Sequence, residues 1–189
     1  MSEGLIVVIA APSGSGKTTI YKELFRRRND LRFSVSHTTR PQREGERDGV
    51  DYHFVPREEF ERKISSGDFV EWAEVHGDLK GTDRRAFDEC RRSGRVCILD
   101  LDVQGAFSIM ETYPHVVTIF IKPPGMEELR RRLQQRGTES EESVRVRLAN
   151  AAKELEKQGA FDYIVTNDRV DRAVQEIESI IDHELHKKG

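Results

Sequence analysis

The stretch "IVVIAAPSGSGKTT", residues 6–19, drives an apolar run into a loop of small residues that closes on Gly16-Lys17-Thr18. A β-branched run of that length reads as a buried strand, and the glycines after it as a tight turn opening a helix. The order strand, glycine loop, helix is that of a phosphate-gripping loop, G-x-x-x-x-G-K-[ST], with Ala11 where the first glycine belongs. Only a positive φ strictly needs glycine, so alanine is tolerated there if its φ is negative. In such a loop the backbone from Ser13 through Gly14, Ser15, Gly16, Lys17, Thr18 and Thr19 cradles nucleotide phosphates, and the following helix adds the positive end of its dipole. Lys17 is expected to reach the β and γ phosphates, and Thr18 to hold Mg²⁺.

Three further apolar runs, Val96 to Leu101, Val116 to Ile121 and Tyr163 to Thr166, join Leu5 to Ala10 as expected parallel strands. Helical periods lie between them: Ile20 and Leu24 after the loop, and Val170, Val174, Ile177, Ile181 and Leu185 along the last stretch. Strands alternating with helices predict an α/β fold, a mostly parallel core sheet flanked by helices. Residues 33–94 break the rhythm with short strands at "FSVSHTT", "VDYHFV" and "FVEWAEV" and a helix around Phe60 and Ile64, which reads as a small β-rich insert. Residues 126–157 read as two arginine-rich helices, the second started by a capping box at Thr138-x-x-Glu141, and suit a mobile lid. The expectation is one domain over 1–189, its core built from 1–32, 95–125 and 158–189.

Composition narrows the class. With 189 residues, 36% hydrophobic and 34% charged, the chain can bury one sizeable core and is not globally disordered. A net charge of −3 gives no bias toward nucleic acid or an anionic membrane, so any anion site is local. Arg26-Arg27-Arg28 and Arg130-Arg131-Arg132 are candidates for one, although such runs are ordinarily solvated helix faces. The first apolar run stops at Pro12-Ser13-Gly14, which predicts neither a signal peptide nor a membrane span, and makes the cytoplasm the expected location. Cys90 and Cys97 match no metal spacing and are expected to be free thiols.

A phosphate loop identifies a donor and not an acceptor. Asp100, at the end of the strand in "CILDLDVQG", is placed to orient the water shell of Mg²⁺. Within the insert, Arg40 and Arg43 sit three apart in a proline-containing segment with Tyr52 after them, two planar cations and a phenol matched to a second phosphate. Glu71 lies inside the apolar strand "FVEWAEV", with Trp72 beside it expected to pack in the core on the opposite face. His183 and His186 on the last helix read as a solvated turn rather than a metal face.

Through these residues the chain resembles the guanylate kinase family over nearly its whole length, from "APSGSGKTT" through "SVSHTTR", "GVDYHFV", "FVEWAEVHG", "LDLDVQG", "IFIKPP" and "RRLQQRGTESEESVRVRL" to "FDYIVTND". The resemblance implies a nucleoside monophosphate kinase fold and transfer of the γ-phosphoryl group of Mg·ATP to GMP, with dGMP an expected second acceptor. It implies that Arg40, Arg43 and Tyr52 hold the GMP phosphate while Ser36, Glu71, Thr82 and Asp102 surround the guanine. It assigns charge stabilisation to Lys17, Mg²⁺ and the lid arginines Arg132, Arg136 and Arg147, with no covalent intermediate and no general base. An ionised carboxylate accepts guanine N1–H and N2–H₂ together, whereas adenine would set a lone pair against it.

Lys80 departs from the pattern, standing where the family carries a tyrosine that contacts the GMP phosphate; it either supplies an ammonium in place of the phenol or points into solvent. Asp83, where a hydroxyl residue is common, is a lesser departure, like Ala11. Two other readings stay open: a non-catalytic guanylate-kinase-like interaction module, against which Lys17, Thr18, Asp100 and the lid arginines argue, and a related kinase of ribose 1,5-bisphosphate, against which Ser36, Glu71 and Thr82 argue. The oligomeric state is undecided by sequence.

Overall fold

The computed structural model describes residues 4–75, 77–135 and 141–188. In chain order the elements are β1 (Leu5–Ala10), α1 (Lys17–Arg27), β2 (Leu31–Ser34), β3 (His37–Thr38), β4 (His53–Phe54), α2 (Arg57–Ser65), β5 (Phe69–Val75) and β6 (Asp78–Asp83). There follow α3 (Arg84–Arg92), β7 (Val96–Leu101), α4 (Val103–Thr112), β8 (Val117–Lys122), α5 (Met126–Gln134), α6 (Glu141–Glu156), β9 (Tyr163–Thr166) and α7 (Val170–Lys188). One mostly parallel sheet runs in the order β2-β7-β1-β8-β9, and a second sheet runs β4-β3-β6-β5. Neighbours that are not consecutive in sequence require helical crossovers, which fits the alternation seen in the sequence. Contacts gather the chain into two compact units, Met1–Val8 with Asp30–Val116 and Ile9–Asn29 with Val117–Gly189.

In the first unit β2 and β7 pair in parallel, Leu31 opposite Val96 and Ser34 opposite Leu99, and every residue of β7 is buried. The segment 33–39, expected as one strand, divides: its start ends β2, and His37–Thr38 forms β3 of the other sheet. That smaller sheet closes on a core of Phe60, Phe69 and Leu79, with the two phenylalanine rings stacked at 4.5 Å. Strand β6 has no counterpart in the sequence reading, because "DLKGTD" carries three charges and no apolar run. It forms as the antiparallel partner of β5, the pair closing at Val75 and Asp78 with Gly77 at φ 88° between them.

In the second unit β8 and β9 pair in parallel from Ile119 with Tyr163 to Lys122 with Thr166. Helices α5 and α6 share their own core of Leu129, Leu133, Val144 and Ala151, with Leu148 packed against it. Arg136 and the Thr138 end of the expected capping box lie outside the described residues.

Two expectations are corrected. Cys90 and Cys97 are paired as a disulfide, not free thiols; the short return from α3 to β7 leaves their Cα atoms 5.8 Å apart, within the ordinary span of that bond. Trp72 is 46% exposed and not core, since its face of β5 has no layer over it that buries the indole. The run Arg26-Arg27-Arg28 keeps to the ordinary reading of such runs as an ion-paired helix face: Arg27 bonds Glu23 and Asp171, Arg28 bonds Asp182, and Arg26 is forked onto Glu23. Among the described residues no helix is long and apolar enough to cross a membrane.

Candidate nucleotide sites

The phosphate loop belongs to the second unit. Its two left-handed positions are Gly14 (φ 88°) and Gly16 (φ 86°), the residues that the sequence motif keeps, while Ala11 is a buried residue at the mouth of the loop. Gly16 is the N-cap of α1, and with no side chain capping the helix, the first-turn N–H groups depend on the loop itself or on a bound anion. Lys17 opens the helix, half-buried, and Thr18 and Thr19 are exposed in its first turn. Ser15 is 1% exposed, and its hydroxyl has no partner among the described residues.

Two of the three predicted lid arginines reach this loop. Arg147, on α6, donates to the Ser13 hydroxyl. Arg132, on α5, donates from Nη1 to the Ser15 carbonyl at 3.3 Å and from Nη2 to the Asn167 carbonyl at 3.0 Å, while Glu128 accepts its Nε–H at 2.8 Å. Leu133 and Leu129 lie over Gly14 so closely that a methyl group there would come within 2.8 Å of Leu133 Cδ2. Asn167, which the sequence reading missed, donates its amide to the Ser15 carbonyl at 2.7 Å, and a methyl group at Gly16 would lie 2.5 Å from the same nitrogen. The Asn167 side-chain oxygen is buried with no partner among the described residues. Beside these groups opens a cavity of about 510 Å³, lined by Thr19, Arg132, Gln135, Asn167 and Asp168 among others.

The second constellation belongs to the first unit. A bulge in β5 between Phe69 and Glu71 breaks the register, so that Glu71 stands opposite Thr82 on β6. The Thr82 hydroxyl donates to Glu71 Oε1 at 2.6 Å. The other oxygen, Oε2, faces Gly105 on α4, where a methyl group would lie 2.6 Å from it. Asp102 caps α4, its Oδ1 accepting from Gln104 N at 2.8 Å and Gly105 N at 3.0 Å. Burial pushes the Glu71 carboxyl up to about 7, against the pull of the Thr82 hydrogen bond and with help from the Asp102 charge.

Lys80 does not point into solvent. Its side chain is only 15% exposed; Nζ donates to the Asp100 carbonyl at 2.9 Å, lies 3.8 Å from Asp100 Oδ2 and sits 5.2 Å from the centre of the Tyr52 ring. The Tyr52 hydroxyl donates to Asp100 Oδ2 at 3.1 Å, so phenol, ammonium and carboxylate form one cluster. Burial works against the Lys80 charge, but Asp100 and Tyr52 beside it hold its pKa above the ordinary lysine range. Asp83 caps α3 through the Arg85 and Ala86 N–H groups, work a hydroxyl residue also does.

Arg40 stacks over Tyr52 and Phe54, with centroids 5.2 and 5.5 Å away. Glu46, also missed in the sequence, accepts both terminal nitrogens of Arg40 and the Arg43 N–H. Ser36 is 2% exposed; its carbonyl accepts from His53 N at 2.9 Å, and its hydroxyl has no partner among the described residues. Thus Tyr52, Lys80 and Asp100 form one bonded group, Glu71, Thr82 and Asp102 gather around Gly105, and Arg40 and Arg43 share Glu46.

A parallel α/β core with a glycine loop between β1 and α1, cationic helices on that loop and buried polar side chains in a second sheet defines a P-loop nucleotide-binding α/β protein. The guanylate kinase family model matches residues 3–184. The guanylate kinase of Symbiobacterium thermophilum is 48% identical over 179 residues, 95% of this chain and 85% of that one. That of Thermotoga maritima is 46% identical over 185 residues, covering 98% and 89%. The crystal structure of guanylate kinase from Anaplasma phagocytophilum superposes with a TM-score of 0.81 at 38% identity, covering 97% of this chain and 87% of that one. This chain belongs to the guanylate kinase family.

Proposed function

We propose that this protein transfers the γ-phosphoryl group of Mg·ATP to GMP, giving ADP and GDP, with dGMP as a second acceptor. The observation that carries the acceptor assignment is Glu71: a buried carboxylate with one oxygen fixed by Thr82 and the other facing the gap left by Gly105. Ionised, it accepts the paired N1–H and N2–H₂ donors of guanine, and leaving it unpaired against adenine costs a factor of roughly 10⁴ to 10⁵ in discrimination. Ser36, Thr82 and Asp102 complete the base site in this reading, and Arg40, Arg43, Tyr52 and Lys80 receive the acceptor phosphate. Residues 33–94 form the acceptor insert and 126–157 the lid of a core made of 1–32, 95–125 and 158–189.

ATP phosphates take the loop from Ser13 to Thr19, with Lys17, Arg132, Arg136 and Arg147 spreading the charge of the moving group. The cavity beside Asn167 takes the rest of the donor nucleotide. Among the described residues no group of three or more His, Cys, Asp or Glu could hold a metal alone. Mg²⁺ uses one or two protein oxygens together with substrate phosphates. The Thr18 hydroxyl is the candidate ligand on α1, and Asp100, whose Oδ2 already accepts from Tyr52, suits contact through water. Bound there, the ion would neutralise charge on the transferring phosphates.

Lys80 does not favour the ribose 1,5-bisphosphate reading, because its charge is answered by Asp100. The net charge of −3 supports small-molecule substrates over nucleic acid, and the cytoplasm is the proposed location. Release of ADP by the purified protein, supplied with Mg·ATP and each of GMP, dGMP, AMP, CMP, UMP and ribose 1,5-bisphosphate, tests the assignment, with Lys17→Ala as control. Turnover confined to GMP and dGMP is expected; turnover of the ribose compound alone would overturn it.

A further inference from the structure

Arg40 carries five N–H donors in a rigid plane. Glu46 takes the end of that plane bidentately, Oε2 from Nη1 at 2.8 Å and Oε1 from Nη2 at 2.7 Å. The Pro41 carbonyl takes the second Nη1–H at 2.8 Å. Three donors are thereby used, and the two that remain, Nε–H and one Nη2–H, lie side by side along one edge. No partner for either occurs among the described residues. That edge is a second bidentate face, spaced for two oxygens of a phosphate.

Glu46 is itself fixed. Its Oε2 also accepts from Arg43 N at 2.8 Å, and its own N–H donates to the Arg43 carbonyl at 3.1 Å. The Arg40 guanidinium carbon also lies over the rings of Tyr52 and Phe54, 5.2 and 5.5 Å from their centres, which adds cation–π contact to the hold of Glu46. Burial alone would raise the Glu46 carboxyl, but the hydrogen bonds from Arg40 and Arg43 hold it below its ordinary value, so it stays ionised.

We infer that Glu46 is a positioning residue for phosphoryl acceptance: it holds the end of Arg40 so that the Nε/Nη2 edge is presented to the acceptor's phosphate. The inference rests on the reading of Arg40 as an acceptor-phosphate ligand. It also runs against simple electrostatics, since removing an anion beside an anion site should tighten phosphate binding, whereas losing the orientation of Arg40 weakens it.

Calorimetric binding of GMP and of guanosine, alongside ADP release, tests this in Glu46→Ala, Glu46→Gln, Arg40→Ala and the double variant Glu46→Ala/Arg40→Ala. The expected result in Glu46→Ala is about a tenfold rise in the Kd and KM for GMP, with guanosine affinity, the KM for ATP and Tm unchanged. Glu46→Gln, which keeps one acceptor oxygen, falls between, and the double variant is no worse than Arg40→Ala alone. Unchanged or tighter GMP binding in both Glu46 variants, or additive losses in the double variant, overturns the inference. Wild-type protein that binds GMP without turning it over counts against the function proposed above, while the ratio of affinities still decides the role of Glu46.

Discussion

Across the bulge of β5 the Thr82 hydroxyl bonds Glu71 at 2.6 Å in a pocket where both residues are at most 5% exposed. Burial lifts this carboxyl from an ordinary 4.5 to about 7, so its charge is set within the working pH range. Only the ionised form accepts both guanine donors, and kcat/KM reports the free enzyme. The value of kcat/KM for GMP therefore rises with pH, about tenfold per unit below 7, and levels off above it. Glu71→Gln removes the inflection. Thr82→Ala, which deletes a bond that lowers this pKa, moves the inflection upward. The same group makes unliganded stability fall as pH rises: its contribution is complete below 4.5 and lost through 7, which a Tm series from pH 5 to 8 without GMP measures.

Gly105→Ala separates acceptor binding from stability. Alanine is favoured over glycine in a helix by about 1 kcal/mol, so α4 is not weakened. The new methyl group meets Glu71 Oε2 at 2.6 Å, where the base donors are expected. The KM for GMP rises at least about tenfold, while Tm and the KM for ATP hold; a variant that loses Tm instead would show the glycine serves packing.

Lys80→Met keeps length and removes charge. It leaves the Asp100 carboxylate with the Tyr52 hydroxyl but without the ammonium 3.8 Å away. Breaking a buried pair in this way costs about 3 kcal/mol of stability. Thermal or urea unfolding should register that loss, and kcat/KM for GMP should fall by about tenfold or more, because Tyr52 and Asp100 lose their common partner. Unchanged unfolding would mean that Lys80 does not hold the cluster.

Asn167→Ala acts on the donor. It removes the amide that holds the Ser15 carbonyl at 2.7 Å, so the phosphate loop loses a tether from the end of β9. The KM for ATP rises by about tenfold and the KM for GMP does not. Asn167→Asp is more severe, since a carboxylate cannot donate to Ser15 and repels the phosphates. Steady-state kinetics with each nucleotide varied in turn distinguish these outcomes.

The parts of the fold legible in sequence are those in which each residue carries its own signal. β1, β7 and β9 begin and end where their apolar, β-branched runs do, and Gly14 and Gly16 stand at the loop's two positive φ angles. What escaped depends on partners. β6 is a strand only because β5 lies beside it. Glu46 is one acid in a highly charged loop, and nothing in "REGERDG" marks it as the one that grips Arg40. Asn167 lies within "FDYIVTND", but no spacing rule ties it to Ser15, 152 residues away. The pairing of Cys90 with Cys97 and the exposure of Trp72 are likewise products of packing. The Glu71 site lies between these cases: the sequence supplied the carboxylate, and the bulge and the bare α-carbon of Gly105 supplied its setting.

The exposed Trp72 gives the protein a built-in optical probe. It is the chain's single tryptophan, so all indole fluorescence originates from one point on the strand. That point is the residue next to Glu71, opposite Gly81, on the exposed face of a strand whose other face carries the buried Glu71 carboxylate. Changes around the Glu71 carboxylate thus have a neighbouring chromophore, with no label to attach and no second tryptophan to subtract.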